Sequence, residues 1–204
     1  LRVNKKKFIY LISPNQIYKK FFEDLQKVLE TGKISFFFFI LKKYSFKHKI
    51  LIGEIIKNIC KKNKVKFLIN DDPILAKRLG ADGCHLGQKD MNIKEARKII
   101  GKKIIGITCH NSITLAKIAI KAKASYLAFG AFYSSKTKKT NHEANIQILR
   151  KIKKITKTPI VAIGGINSEN YKNLLLNNAN FLAISGYIWN NKKYKPLEAL
   201  ERLK

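Results

Sequence analysis

Eight short apolar runs, each followed by a segment with helical periodicity, constrain the fold of this chain more than any other feature of its sequence. Runs such as IVAI at Ile160–Ile163 and IIGIT at Ile104–Thr108 lack the polar alternation of a half-exposed strand. This pattern is typical of strands in parallel sheets that are covered by helices on both sides. The predicted strands are Phe8–Ile12, Ile34–Leu41, Val65–Ile69, Gly83–Leu86, Ile104–Thr108, Tyr126–Phe129, Ile160–Ile163 and Phe181–Ser185. The predicted helices are Asn15–Thr31, Lys49–Lys62, Pro73–Leu79, Ile93–Ile100, Ser112–Ala122, Ile146–Ile155, Ser168–Asn177 and Pro196–Leu203.

Strict alternation of eight strands with helices predicts a closed (β/α)₈ TIM barrel, built as one α/β domain over residues 1–204. An open, doubly wound sheet is the competing fold, and a glycine-rich phosphate loop early in the chain would favour it. The sequence has no such loop. A barrel places its chemistry at the carboxyl ends of the strands. The residues predicted at those ends are Asp71, Asp90, Thr108, Gly165 and Ser185.

The charge of the chain is strongly positive, with 42 Lys and Arg against 13 Asp and Glu, which gives a formal net charge of +29. Such an excess raises the hypothesis of a nucleic-acid binder, because Lys and Arg contacts to phosphates supply most nonspecific affinity. The lysines are scattered through the whole chain, however, and form no basic arm interleaved with aromatic residues. We therefore predict no specific nucleic-acid partner, and attraction of small anionic molecules instead.

The cysteine pattern and the apolar runs bear on the cellular setting. Cys60, Cys84 and Cys109 are far apart in sequence and form no CxxC pair, which predicts neither a disulfide framework nor a zinc site. The longest apolar run, Ile34–Leu41, is far too short to cross a membrane, and no segment resembles a signal peptide. These features predict a cytoplasmic protein without a membrane partner, and they leave open whether it forms a homo-oligomer.

Two carboxylates follow neighbouring predicted strands and form a candidate metal site. Asp71 follows Val65–Ile69, and Asp90 follows Gly83–Leu86. Acids at the ends of successive strands can converge on one ion, and Mg²⁺ takes few protein carboxylates, leaving its other positions to water and substrate phosphates. The alternative is that Asp72 and Asp90 cap the helices that follow them.

Glycines after the seventh strand indicate a phosphate site. Gly164 and Gly165 let backbone amides approach an oxyanion that a side chain would obstruct, and Ser185 adds a hydroxyl and an amide after the eighth strand. The loops after these two strands often bind phosphate in (β/α)₈ barrels. Replacement of Gly165 by Val is therefore expected to block a phosphorylated ligand while leaving the fold largely intact.

A long, basic loop after the sixth strand offers a second phosphate site. Its candidate ligands are Ser134, Ser135, Thr137 and Lys138, and its length suggests a lid. An exposed basic loop without a ligand is the alternative. Two anion sites beside one cation site suit a reaction between a diphosphate and a phosphorylated partner.

Several linked motifs resemble the thiamine phosphate synthase family of (β/α)₈ barrels. The motifs are NDD at Asn70–Asp72, ADGCHLGQKD at Ala81–Asp90, IGITCH at Ile105–His110, TKK at Thr137–Lys139 and PIVAIGGI at Pro159–Ile166. The resemblance implies a transferase that joins 4-amino-5-hydroxymethyl-2-methylpyrimidine diphosphate to a thiazole phosphate or its carboxylate. The products would be thiamine phosphate and diphosphate.

The resemblance also implies roles for individual residues. Asp71 and Asp90 would hold Mg²⁺ on the diphosphate, which Asn70 and Lys138 would contact, and Thr108 would place a hydroxyl near the pyrimidine and the leaving group. Thr108, Lys138 and Lys42 are thus the candidate catalytic residues. The remaining candidates, which would bind the thiazole phosphate or lie beside it, are Thr137, Ser135, Gly165, Ile184 and Ser185.

The second strand departs from the family pattern. The family carries Gln-x-Arg-x-Lys there, whereas this chain has Phe38, Ile40 and Lys42. Alternate residues share one face of a strand, so Phe38 and Ile40 would replace a polar pair that grips the substrate, while filling the barrel well. We therefore expect low turnover that Phe38→Gln with Ile40→Arg partly restores, unless Lys42, Lys43 or Lys138 already supplies the charge.

Two alternative functions stay open on the sequence. One is a catalytically impaired paralogue that only binds phosphorylated ligands. The other is the thiazole tautomerase branch of the family, which uses a histidine in the loop after the sixth strand, where this chain has Ala131. His85 and His110 lie beside strand ends, and a hydrogen-bonded structural role is favoured for both.

Overall fold

Eight parallel strands close into a barrel in a computed structural model that describes residues 8–40, 44–134 and 143–203. The strands pair in sequence order, and β1 closes the barrel against β8 through the pair Ile9 and Leu182. The strands are β1 Ile9–Ile12, β2 Ile34–Phe39, β3 Lys66–Asn70, β4 Gly83–Leu86, β5 Ile104–His110, β6 Tyr126–Phe129, β7 Ile160–Ile163 and β8 Phe181–Ile184. The predicted (β/α)₈ barrel is confirmed.

Helices follow each strand, and the ranges given above contain nine of them. They are α1 Phe21–Glu30, α2 Phe46–Lys62, α3 Pro73–Arg78, α4 Ile93–Ile100, α5 Ile113–Lys121, α6 Gln147–Ile155, α7 Tyr171–Leu176, α8 Gly186–Trp189 and α9 Pro196–Glu201. None of them combines the length and hydrophobicity that crossing a bilayer requires.

The side chains of the strands alternate between two separate cores, as the apolar runs predict. On β1, for example, Leu11 packs outwards in the core shared with the helices, whereas Tyr10 and Ile12 fill the barrel. We call the inner set the barrel-interior cluster. Its buried members are Tyr10, Ile12, Phe36, Phe38, Leu68, Tyr126, Ala128, Val161, Phe181 and Ala183.

Aromatic rings dominate the barrel-interior cluster. The rings of Tyr10 and Phe36 stack with centroids 5.2 Å apart, and Phe36 meets Phe181 edge to face at 5.2 Å. Such pairs contribute about 0.5–1.5 kcal/mol each beyond the burial of their area. The interior along the barrel axis is therefore a packed core, and we expect ligands to bind at the rim.

Two helices, α1 and α2, begin at other residues than predicted. Helix α1 begins at Phe21 instead of Asn15, and the amide of Ile17, in the segment before it, donates to the hydroxyl of Tyr44. Helix α2 begins at Phe46 instead of Lys49, because the hydroxyl of Ser45 caps it.

The carboxyl ends of the last two strands also differ from the prediction. Ser168 does not open α7, which begins three residues later after Asn170. Ser185 does not close β8; it precedes α8, a single turn that the sequence did not predict. Strand β5 extends to His110, and a register shift follows Thr108 in its pairing with β6. Such bulges re-aim side chains beside functional sites.

Candidate active site

The ends of β3 and β4 bring the two predicted metal ligands to adjacent loops at one rim of the barrel. The amide of Asp71 donates to the carbonyl of His85 at 2.8 Å, which ties the end of β3 to β4. The carboxylate of Asp90 turns back towards the end of β4 and accepts a hydrogen bond from the amide of Gly87 at 2.6 Å. A Cβ on Gly87 would lie only 2.9 Å from this carboxylate, so glycine permits the turn.

Helix capping accounts for one of the nearby aspartates and not for the other. Asp72 caps α3, accepting from the amide of Leu75 at 2.8 Å. Helix α4 is capped by Asn92, which accepts from the amide of Glu95 at 3.0 Å. The capping alternative is therefore correct for Asp72 and wrong for Asp90.

The donor chemistry of this pair fits a hard cation. Asp71 has φ of +61°, an uncommon backbone conformation that a non-glycine residue adopts mainly where its surroundings hold it. Within residues 8–40, 44–134 and 143–203, no group of three or more His, Cys, Asp or Glu side chains could hold a metal. Two carboxylates suit Mg²⁺, which keeps water and substrate phosphates as its other ligands. The magnesium site stays a prediction.

A chain of hydrogen bonds runs up the barrel interior to Thr108. The hydroxyls of Tyr10 and Tyr126 are 2.5 Å apart, and that of Tyr126 lies 2.9 Å from Nδ1 of His85. Nε2 of His85 lies 2.8 Å from Oγ1 of Thr108. Burial lowers the pKa of His85 from 6.5 to about 4, against the opposing charge of Asp90, so the imidazole is neutral at pH 7. The hydrogen-bonded role expected for His85 is confirmed.

Phe38 and Ile40 occupy the inner face of β2 and its continuation, as the alternation predicts. Phe38 is 5% exposed and packs edge to face on the ring of His85, with centroids 5.3 Å apart. Ile40 is partly buried and packs against the barrel-interior cluster. Apolar groups therefore stand where a glutamine and an arginine are expected.

The loop after β7 is held against the loop after β6. The amide of Tyr133 donates to the carbonyl of Gly164 at 3.2 Å, and Gly165 has φ of +61°. A Cβ on Gly165 would lie 2.4 Å from the carbonyl oxygen of Ser134. The expectation that Gly165→Val leaves the fold largely intact is therefore wrong, because the added bulk would meet the protein's own backbone before any ligand.

The two candidates at the end of β8, Ile184 and Ser185, differ in what their side chains contact. The side chain of Ile184 is 2% exposed and lies in the outer core, so only its backbone faces the rim. The hydroxyl of Ser185 donates to the carbonyl of Ser13 at 3.1 Å.

Asn70 ends β3 on the same inner face as Leu68. Four candidates, Lys42, Ser135, Thr137 and Lys138, lie outside the described residues.

Sequence reasoning missed two residues that shape this rim. Ser13 is 2% exposed; its hydroxyl accepts from the amide of Ile40 at 2.9 Å and lies 3.1 Å from the carbonyl of that residue. Asn170 donates to the carbonyl of Gly165 at 3.0 Å and so holds the glycine turn. A polar residue directly after an apolar strand was the available signal for Ser13.

Comparison with known proteins agrees with the motifs. Residues 9–188 match the family model described as thiamine monophosphate synthase. A thiamine-phosphate synthase of Pelagibacter ubique (strain HTCC1062) is 66% identical over 204 residues, covering 100% of this chain and 98% of that protein. A thiamine-phosphate synthase of Erythrobacter litoralis (strain HTCC2594) is 39% identical over 196 residues, covering 94% and 92%.

Solved structures show the same architecture. The thiamine phosphate pyrophosphorylase from Pyrococcus furiosus superposes with a TM-score of 0.86 at 27% identity, covering 97% of this chain and 94% of that one. An orotidine 5'-phosphate decarboxylase from Pyrococcus horikoshii superposes with a TM-score of 0.67 at 12% identity, which shows a shared fold alone.

Proposed function

Because this chain belongs to the thiamine monophosphate synthase family, we propose that its carboxyl rim joins pyrimidine diphosphate to thiazole phosphate. The reaction is that of a transferase in thiamine biosynthesis. The thiazole nitrogen forms a bond to the pyrimidine methylene carbon, the carbon–oxygen bond to diphosphate breaks, and both electrons leave with the diphosphate. One observation supports this placement: residues at the carboxyl ends of four strands, β3, β4, β5 and β7, lie at one rim, where two phosphorylated substrates can react. They are Asn70, Asp71, Asp90, Thr108 and Gly165.

Charge that develops on the departing diphosphate sets the task of the rim. Mg²⁺ bound by Asp71 and Asp90 would neutralise part of that charge. Asn70 offers amide hydrogens to the diphosphate from the inner face of β3, and Thr108 offers a hydroxyl from β5. Holding both substrates in line lowers the entropic part of the barrier.

The second phosphate lies, in this proposal, at the loops after β7 and β8. The glycine turn at Gly164 and Gly165, with positive φ at both residues, would offer backbone amides to an oxyanion, and it leaves no room for a side chain beside the loop after β6. Ser185 precedes the turn of α8 and adds its amide, while its hydroxyl proton is engaged by Ser13. Ser185→Ala keeps this amide and is the control, with both KM values expected unchanged. Ser185→Asp places a carboxylate beside the phosphate, and it should raise the KM for thiazole phosphate several-fold while leaving the KM for pyrimidine diphosphate unchanged. Unchanged values for both substrates in Ser185→Asp, with the melting temperature unchanged, would count against this site.

The metal assignment has a matched control in the neighbouring aspartate. Formation of thiamine phosphate is measured by liquid chromatography over a Mg²⁺ titration. Asp71→Asn and Asp90→Asn should each shift the Mg²⁺ requirement upwards at least tenfold. Asp72→Asn should not, because asparagine caps α3 as well as aspartate does. Equal behaviour of all three variants would refute the site.

The cytoplasm is the setting we propose. Cys60, Cys84 and Cys109 are buried, unpaired thiols, which agrees with a reducing compartment. We also propose that the net charge of +29 serves no specific nucleic acid. A salt titration of binding to random duplex DNA tests this point: affinity should fall steeply with salt, as expected for phosphate contacts alone, and binding that persists at high salt would count against the proposal.

A further inference from the structure

The hydrogen-bond chain in the barrel interior has two polarities, and each would give Thr108 a different role. In one polarity, protons are donated from Tyr10 towards Thr108. In the other, Thr108 donates to His85 and every later bond is reversed. Hydrogen positions are decided by counting which donors find acceptors, because the heavy atoms are in the same places in both cases.

The count of donors separates the two polarities. If Thr108 donates to Nε2 of His85, then Nδ1–H donates to Tyr126 and Tyr126 donates to Tyr10. The hydroxyl hydrogen of Tyr10, which is 2% exposed, then has no acceptor, since Tyr126 is its one hydrogen-bond partner among the described residues. A buried donor without an acceptor is strongly disfavoured.

In the opposite polarity every buried hydrogen is used. Tyr10 donates to Tyr126, Tyr126 donates to Nδ1 of His85, and Nε2–H donates to Oγ1 of Thr108. The hydrogen that remains belongs to Thr108, which is partly exposed at the carboxyl end of β5 and so can donate outwards.

We propose that Tyr10, Tyr126 and His85 form a positioning relay that holds His85 as its Nε2–H tautomer and thereby makes Thr108 a hydrogen-bond donor to the substrate. The assignment of Thr108 to the substrate rests on the proposed function; the tautomer does not. The relay also explains why a histidine stands in an aromatic interior: Tyr126 stacks on its ring at 5.5 Å and Phe38 meets it edge-on.

Two further contacts limit movement of the relay. Gly106 makes room for Tyr126, since a Cβ there would lie 1.8 Å from the tyrosine ring. The side-chain amide of Gln88 donates to the carbonyl of Thr108 and fixes the backbone that carries the hydroxyl. The relay is thus built into the barrel before any ligand arrives.

The tautomer is tested directly by long-range ¹H–¹⁵N correlation spectra of the ¹⁵N-histidine-labelled protein at pH 7.5, assigned by comparison with His85→Gln. We expect hydrogen on Nε2 and an unprotonated Nδ1. Tyr10→Phe should preserve this pattern, because Tyr126 still donates to Nδ1. Hydrogen on Nδ1 in the wild type would overturn the relay, and it would do so whether or not the protein makes thiamine phosphate.

Kinetics test the effect on Thr108. His85→Leu and Thr108→Val should each lower kcat at least tenfold, and the double variant should be no slower than Thr108→Val alone, because both changes remove one donor. His85→Gln, whose amide can replace Nε2–H, should recover most of the loss. Multiplicative losses in the double variant, with circular dichroism showing all variants folded, would overturn the relay. Absence of thiamine phosphate formation by the wild type would instead refute the proposed function.

Discussion

Rebuilding the missing arginine at the end of β2 tests how this rim binds diphosphate. Ile40 is partly buried and shares the inner face with Phe38, so the longer Arg side chain of Ile40→Arg can lie along apolar surface and extend its guanidinium into the rim. A charged hydrogen bond to phosphate contributes about 1.5–3 kcal/mol. Ordering an arginine side chain costs up to about 2 kcal/mol. The net gain of about 1 kcal/mol predicts a KM for pyrimidine diphosphate lowered roughly fivefold.

The companion substitution, Phe38→Gln, is expected to destabilise the barrel. It is 5% exposed and packs on His85 and Tyr10. Removing a buried phenylalanine costs about 3–5 kcal/mol, and an unpaired amide adds about 1–3 kcal/mol. This sum approaches the whole stability of a typical domain, about 5–15 kcal/mol. We therefore expect Ile40→Arg alone, and not the double variant with Phe38→Gln, to give a folded protein with improved binding.

The assay measures initial rates at constant ionic strength, with Leu51→Arg as the control. Leu51 is 56% exposed on α2, so Leu51→Arg adds the same charge outside the barrel. An unchanged KM for Ile40→Arg, in a protein whose melting temperature falls by no more than about 4 °C, would refute the argument that this face reaches the diphosphate. An equal gain from Leu51→Arg would refute it too, since the effect would then come from net charge.

Three further predictions concern stability. Gly106→Ala should destabilise the protein by more than about 2 kcal/mol in urea unfolding, because its Cβ meets the Tyr126 ring at 1.8 Å; an unchanged midpoint would show that the ring moves freely. Ser13→Ala should cost about 1–3 kcal/mol in the same measurement, because the amide of Ile40 loses its acceptor, whereas Ser13→Thr should keep most of the stability. The depressed pKa of His85, about 4 against 6.5 when unfolded, means that the unfolded state binds the proton first, so stability should fall by up to about 3 kcal/mol as pH drops from 6.5 to 4; His85→Gln should remove this part of the pH slope.

The strands were predictable from the sequence because burial on both faces leaves an unmistakable apolar run. Helix starts were less predictable. Ile17 and Tyr18 continue the apolar periodicity of α1, yet both lie in the loop before it. The amide of Ile17 donates to Tyr44 there, and nothing in the sequence marks that hydrogen bond. Ser45, which caps α2, lies four residues before the predicted start at Lys49, and serine is a favoured cap residue.

The rim was predictable in part, through loops that follow strands. The placement of Asp71 and Asp90 on adjacent loops follows from strand order alone. The relay from Tyr10 through Tyr126 to His85 was not visible, since it joins residues that are 116 and 41 positions apart in sequence. Only the inward alternation of β1, β4 and β6 together brings these side chains into contact.

The aromatic filling of the barrel has a kinetic consequence. Rings such as Phe36 and Phe181 close the axis below the rim, so in the described part of the barrel substrates and products enter and leave at the carboxyl rim. The diphosphate released by the chemical step and the newly formed thiamine phosphate must leave by the same mouth through which the next pair enters. Whichever product lies nearer to that mouth departs first, and an excess of either one competes with a fresh substrate for the same passage. Product inhibition patterns should therefore show which of the two products lies deeper in the site at the rim.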